Sequence, residues 1–178
     1  MDNYREEIII KKNRTVNNIL YALLMVVMVV SAFLAFMSLS SIMYTDSWVM
    51  SIIWIVLNGG IAALIWFKKD ELKMEYEYTF TNGELDFARV LGNKKRKELG
   101  SMRVKNVEAF GKVSSGSFNR YISMQGAKRS NWFLNRDAEL YYFFFQKDGN
   151  KRVIICEPSE EMVEMIQMYI PRGVLQIN

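Results

Sequence analysis

Met74-Glu75-Tyr76-Glu77-Tyr78-Thr79-Phe80-Thr81-Asn82-Gly83-Glu84-Leu85-Asp86 is the stretch whose pattern decides the fold. Apolar Met74, Tyr76, Tyr78 and Phe80 alternate with Glu75, Glu77, Thr79 and Thr81, the period-two signature of a half-buried strand. Asn82-Gly83 then supplies a tight hairpin turn, because both central positions need positive φ. The return strand sets Leu85 opposite Phe80 and Phe87 opposite Tyr78 on one face.

Towards the C-terminus the β signals continue. Residues 94–99 and 103–110 read as further strands or turns. Residues 140–146 are rich in aromatics, Asp148-Gly149 makes a second turn, and residues 152–156 return. One amphipathic helix closes the chain. Ser159 is its N-cap, preceded by Pro158 and followed by Glu160 and Glu161, which suit the positive helix end. Met162, Ile166, Tyr169 and Ile170 form an apolar stripe fitted to cover a sheet, and Pro171 and Gly173 stop the helix.

Towards the N-terminus the pattern changes to two uninterrupted apolar runs, 16–40 and 48–67, with no charged residue in either. About 20 helical residues cross a bilayer core of roughly 30 Å, so each run is long enough to span. A soluble helix of this length carries a charged face, and neither run does. The first run exceeds the 7–15 or so residues of a signal-peptide core and is followed at once by the second, which makes it an uncleaved anchor. Arg5, Lys11, Lys12 and Arg14 precede the pair and Lys68, Lys69 and Lys73 follow it. The 41–47 loop holds only Asp46. Positive flanks remain on the cytoplasmic side, so both termini are expected there, in the plasma membrane. Tyr21, Tyr44, Trp48 and Trp66 fall near the expected interfaces.

Small residues at helical spacing, Ser31, Ala35 and Ser38 on one helix and Gly59 and Ala63 on the other, predict close packing. Asn58, at the expected depth of Ser31, needs a partner there, either Ser31 itself or a second copy of the chain. The expected organisation is a cytoplasmic tail (1–15), a transmembrane hairpin (16–67), a linker (68–73) and a β-rich cytoplasmic domain (74–178). Within the tail, Ile8-Ile9-Ile10 is either an added edge strand or a frayed juxtamembrane segment.

The composition narrows the chemistry. The chain has 178 residues, a net charge of +4 and an apolar share of 51%. It has no histidine, which removes histidine bases, Ser-His-Asp and Cys-His catalysis and most zinc sites. The one cysteine, Cys156, forms no internal disulfide, and its place at the end of an apolar strand suits a buried structural thiol. Glu75 and Glu77 share a strand face, but plain alternation accounts for them. No Gly-rich phosphate loop is present: Gly59-Gly60 lies in a membrane run, and Ser114-Ser115-Gly116-Ser117 has no following lysine. No cofactor and no enzymatic activity are expected.

Many strands closed by a single helix, with Tyr78-Thr79-Phe80-Thr81-Asn82-Gly83-Glu84-Leu85-Asp86 and then Lys94-Lys95-Arg96-Lys97-Glu98-Leu99, resembles bacterial pleckstrin-homology-like (PH-like) domains. The whole layout is similar to uncharacterised bacterial membrane proteins with two N-terminal helices and a C-terminal PH-like domain. The resemblance implies an α+β fold: a transmembrane α-helical hairpin plus a PH-like β-barrel or sandwich closed by a C-terminal helix. It carries no catalytic residues across. Phosphoinositide-binding PH domains use a basic first hairpin. Here that turn is Thr81-Asn82-Gly83-Glu84, which does not match.

Two surfaces stand out as contact candidates. Lys94, Lys95, Arg96 and Lys97 suit anionic headgroups, or are simply a solvated turn. Residues 114–137 mix Arg120, Lys128, Arg129 and Arg136 with Phe118, Tyr121, Trp132 and Phe133. They dock a protein or lipid, or else send their aromatics into the core; membrane tethering argues against nucleic acid. The expected function is a membrane-anchored, non-enzymatic binding or scaffold protein for a protein partner, lipid or its own copies. The alternative is an accessory or oligomeric subunit of a membrane transport or envelope-stress system, acting through Asn58, Gly59 and Gly60.

Overall fold

The structure is a computed structural model that describes residues 3–42, 44 and 48–176. Met43, Thr45, Asp46 and Ser47 of the expected external loop lie outside the described residues. In chain order the elements are β1 (Tyr4–Ile9), α1 (Arg14–Ser41), α2 (Trp48–Lys68), β2 (Met74–Thr81), β3 (Glu84–Leu91), β4 (Lys95–Arg103), β5 (Ala109–Lys112), α3 (Gly116–Ile122), β6 (Lys128–Trp132), β7 (Tyr141–Lys147), β8 (Asn150–Cys156), α4 (Glu160–Tyr169) and β9 (Leu175–Gln176). They divide into two compact units. One holds residues 3–12, 75–90 and 94–176; the other holds 13–74 and 91–93.

The larger unit contains two sheets, ordered β1-β2-β3-β4 and β6-β8-β7-β5-β9. The Asn82-Gly83 hairpin forms as its sequence dictates, with φ of 49° and 89° at the two turn residues. Tyr78, Phe80, Leu85 and Phe87 are buried, and the Tyr78 and Phe87 rings meet edge to face at 5.3 Å. Asp148-Gly149 turns β7 into β8, with Gln146 opposite Lys151 and Lys147 opposite Asn150. Every residue from Tyr141 to Phe145 is buried, so β7 is covered on both faces. Tyr142 and Phe144 pack with Ala109, Phe118, Val153 and Ile155 on one face, beneath α3. Alternation sends Phe143, Ile154 and Cys156 to the other. There the sheets are joined by polar contacts. The Tyr78 hydroxyl donates to the Trp132 carbonyl and accepts the Glu157 N–H at 3.3 Å, and the Tyr76 hydroxyl donates to the Asn131 carbonyl at 3.4 Å.

The closing helix follows its signals. The Ser159 hydroxyl oxygen accepts the Met162 N–H at 3.2 Å, and Met162, Val163 and Ile166 are buried. The Tyr169 ring covers Phe80 edge to face at 5.4 Å and rests on the hairpin turn, where a Cβ on Gly83 would lie 2.7 Å from Tyr169 Cδ1. Gly111 is needed for a different reason: the Gln176 carbonyl oxygen would lie 2.1 Å from a Cβ there, because β9 runs against β5. The obstacle is backbone rather than a mobile side chain. Gly111→Ala is therefore expected to detach β9 and destabilise the domain by about 1–3 kcal/mol. The check is a thermal melt together with faster amide exchange over residues 174–176.

The N-terminal segment is part of this unit. β1 pairs antiparallel with β2, from Tyr4 opposite Thr81 to Ile9 opposite Tyr76. Of the two sequence readings for Ile8-Ile9-Ile10, the edge strand is the one that forms, and it reaches back to Tyr4. Side chains and turn atoms hold it in place. Glu7 accepts the Ser159 N–H at 3.0 Å as well as the Ser159 hydroxyl. Asn3 and Asn82 exchange two hydrogen bonds, and the Asn3 amide donates to the Tyr169 hydroxyl at 3.0 Å. Asn135, itself buried, accepts the Lys12 N–H at 2.8 Å and donates to the Ile10 carbonyl at 2.9 Å. α1 and α2 are thus an insertion between two neighbouring strands of one sheet.

Candidate functional site

In the smaller unit, burial runs opposite to that of a soluble helix pair. The fully buried side chains of α1 and α2 are Ser31, Ser51 and Asn58, while valines, leucines, isoleucines and phenylalanines are exposed along both helices. The seam follows a heptad. Asn17, Tyr21, Leu24, Met28, Ser31, Ala35 and Ser38 lie inward on α1, and Ser51, Ile55, Asn58, Ala62 and Ile65 on α2. Of the small and polar residues singled out in the sequence, Ser31 and Asn58 are buried, Ala35 and Gly59 are half-buried, and Ala63 is exposed; a Cβ on Gly59 would meet nothing within 4 Å. Asn58 donates to the Trp54 carbonyl one turn back, at 3.0 Å. One N–H of the amide is thus satisfied within its own helix. At the far end, the Ser41 and Ser51 hydroxyls lie 3.4 Å apart.

The end of the hairpin next to β2 is ringed by aromatics and cations. The Lys69 ammonium lies 4.6 Å from the Trp66 ring centre, and that of Lys73 lies 3.9 Å from the Tyr21 ring. Lys68 pairs with Glu71 at 3.2 Å, and Lys69 with Asp70 at 3.3 Å. The Asn17 amide ties Leu72 to α1 at 3.0 Å. Residues 91–93, the β3–β4 turn, belong to this unit: the Gly92 N–H donates to the Lys73 carbonyl at 3.1 Å, and Asp70 lies against Gly92.

In the larger unit, Lys94 follows that turn and Lys95, Arg96 and Lys97 open β4, the edge of its sheet; all four are exposed. They differ in their partners. Arg96 Nε donates to Glu77 at 2.6 Å, and that hydrogen bond raises the guanidinium's pKa. The contact occupies Glu77, so this carboxylate serves an ion pair. Lys94, Lys95 and Lys97 have no ion pair within 4.0 Å among the described residues.

Residues 114–137 divide as their chemistry suggests. Phe118 is buried, and Tyr121 and Phe133 pack against the core beneath α3. Arg120, Lys128 and Arg129 stay exposed, Arg129 donating to Asn131 at 2.6 Å. Arg120 sits on α3, and Lys128 and Arg129 sit on β6, in a different sheet from Lys95–Lys97. Arg103 and Lys105 escaped the sequence reading. They line a cleft of about 430 Å³ with Thr81, Asn82, Glu84 and Tyr169. Their spacing shows no run, and only the approach of α4 to the hairpin turn brings them together.

Two titratable groups in the core, Cys156 and Tyr78, are held neutral. Burial pushes the Cys156 thiol well above its ordinary range, and burial likewise raises Tyr78 well above its usual value. Hydrogen bonding to Lys112 holds the Glu139 carboxyl below its usual range. Among the described residues no group of three or more His, Cys, Asp and Glu is placed to hold a metal ion.

A family model described as "Bacterial PH-like domain (DUF6106)" matches residues 1–176. The chain belongs to this bacterial PH-like family. The match covers β1, the apolar hairpin and the β-rich unit together, so the inserted helices are part of the PH-like family's layout. Neither the curated proteins nor the solved structures contain a match. PH-like domains are generally non-catalytic binding modules.

Proposed function

We propose that this PH-like protein is a non-enzymatic binding or scaffold protein of the bacterial plasma membrane. α1 and α2 cross the bilayer, both termini are cytoplasmic, and the β-rich domain is presented at the membrane surface to a protein or lipid partner. The observation that carries this reading is the position of the hairpin between β1 and β2, which pair along the whole length of β1. Strands bonded in one sheet lie on one side of a bilayer, so the start of α1 and the end of α2 must emerge on the same side. The lysines and arginines on both flanks support the cytoplasm as that side. Burial supports it independently. A helix pair that hides serine and asparagine and exposes valine, leucine and phenylalanine is stable where the surroundings are lipid.

Cysteine accessibility in intact cells tests the topology. On a Cys156→Ala background, Tyr44→Cys is expected to react with a membrane-impermeant maleimide added outside. Lys147→Cys and Lys12→Cys are expected to react only after lysis. External labelling of Lys147→Cys, or release of the protein from membranes by alkaline carbonate, would refute the arrangement.

A further inference from the structure

The hairpin unit and the edge strand β4 are consecutive in the chain, since Asn93 belongs to the one and Lys94 to the other. Gly92 is bonded to Lys73, and Lys73 ends the single 3₁₀ turn Lys69–Lys73 that follows α2. Five residues of 3₁₀ helix rise about 10 Å. From Gly92 to Lys94 the chain extends by at most about 7 Å. The Gly92–Lys73 hydrogen bond and the two-residue step from Gly92 therefore limit how far Lys94 can lie from the end of the apolar span. A headgroup layer is roughly 5–7 Å deep on each side of the bilayer core. An anionic surface acts over a further Debye length of about 8 Å.

The cations nearest the span already have partners: Lys68 has Glu71, Lys69 has Asp70 and Trp66, and Lys73 has Tyr21. In β4, Arg96 has Glu77. Lys94, Lys95 and Lys97 are the exposed cations at this junction without an ion pair among the described residues. Alternation places Lys95 and Lys97 on one side of β4, opposite Arg96. We infer that Lys94, Lys95 and Lys97 form a contact site for the headgroups of anionic lipids in the bilayer that holds the hairpin. This rests on the membrane reading above and gives that reading a ligand. The plain competitor is that lysines merely guard an open sheet edge against pairing with other chains. An edge guard works with charge of either sign, whereas a headgroup contact needs positive charge.

That difference decides the test. The full-length protein is reconstituted in nanodiscs of phosphatidylcholine alone or mixed with phosphatidylglycerol, and amide exchange is followed over residues 93–99. The expected result is exchange at least about fivefold slower in the anionic discs, restored by high salt, since even one basic residue near such a surface contributes roughly fivefold. The triple variant Lys94→Glu, Lys95→Glu, Lys97→Glu should keep its fold and lose the lipid dependence. Equal slowing in wild type and variant, or none in either, overturns the proposal. If inorganic phosphate added to neutral discs reproduces the protection, the site is one for free anions and the lipid assignment fails. Failure to enter either disc would instead count against the membrane reading itself.

Discussion

Replacing residues 13–73 with a linker of about six glycines and serines is expected to yield a water-soluble, cooperatively folded PH-like domain. A chain starting at Met74 is expected to aggregate or remain partly unfolded. Ile9 lies opposite Tyr76, so a short linker can close the gap once the helices are gone. Without residues 3–12 the domain loses all of β1, and β2 becomes a bare edge. Asn135 loses the Lys12 N–H and the Ile10 carbonyl, and Ser159 loses both bonds to Glu7 at the start of α4. Each buried polar group left without a partner costs about 1–3 kcal/mol, so the loss is expected to be at least about 4 kcal/mol, a large part of the stability of a small domain. Size-exclusion chromatography and thermal denaturation of the two forms make the comparison. A stable, monomeric 74–178 fragment would show that β1 is dispensable.

The second large effect is expected at Glu157. This carboxylate is buried and accepts the Leu134 N–H at 2.7 Å, the Asn135 N–H at 3.2 Å and the Asn135 side-chain amide at 3.0 Å. It therefore orients Asn135, which in turn holds the end of β1. Glu157→Ala removes two acceptor oxygens and the three hydrogen bonds they accept, leaving the donors without partners. The expected cost is about 3–5 kcal/mol, or roughly 10 °C in Tm. Cys156 next to it serves as the reporter, because its thiol is almost inaccessible and held neutral by burial. In the full-length protein, a thiol-reactive dye should label Cys156 at a correspondingly lower temperature in the variant. Unchanged labelling would mean that the network around Glu157 contributes little.

Much of this architecture is legible along the chain because it depends on neighbours in sequence. Period-two alternation needs only a strand with one wet face, and Asn82-Gly83 and Asp148-Gly149 satisfy positive φ wherever they occur. Ser159 caps α4 with an N–H three residues on. The two apolar runs are long enough to span by composition alone. The heptad seam is a harder case. Ser31, Ala35 and Asn58 lie on it while Ala63 is exposed, because small size by itself does not distinguish adjacent faces of an apolar helix.

The contacts that complete the domain join residues far apart in the chain. Tyr4–Ile9 has a weak strand pattern, broken by Arg5, Glu6 and Glu7. Those charges are acceptable only because Glu7 meets Ser159, while Arg5 meets Glu7 at 2.7 Å and Glu161 at 3.3 Å. Arg103 and Lys105 become neighbours of Tyr169 by the same kind of closure. The sequence by itself determined the apolar hairpin, the positive flanks, the β hairpins and the capped closing helix. Each rests on local periodicity, local φ or local charge. Only the tertiary structure decided that the first strand belongs to the β domain, that the hairpin is inserted between two paired strands, and that three of the four cations at the β3–β4 turn remain unpaired. Those depend on which distant groups satisfy one another, and a linear pattern carries no record of that.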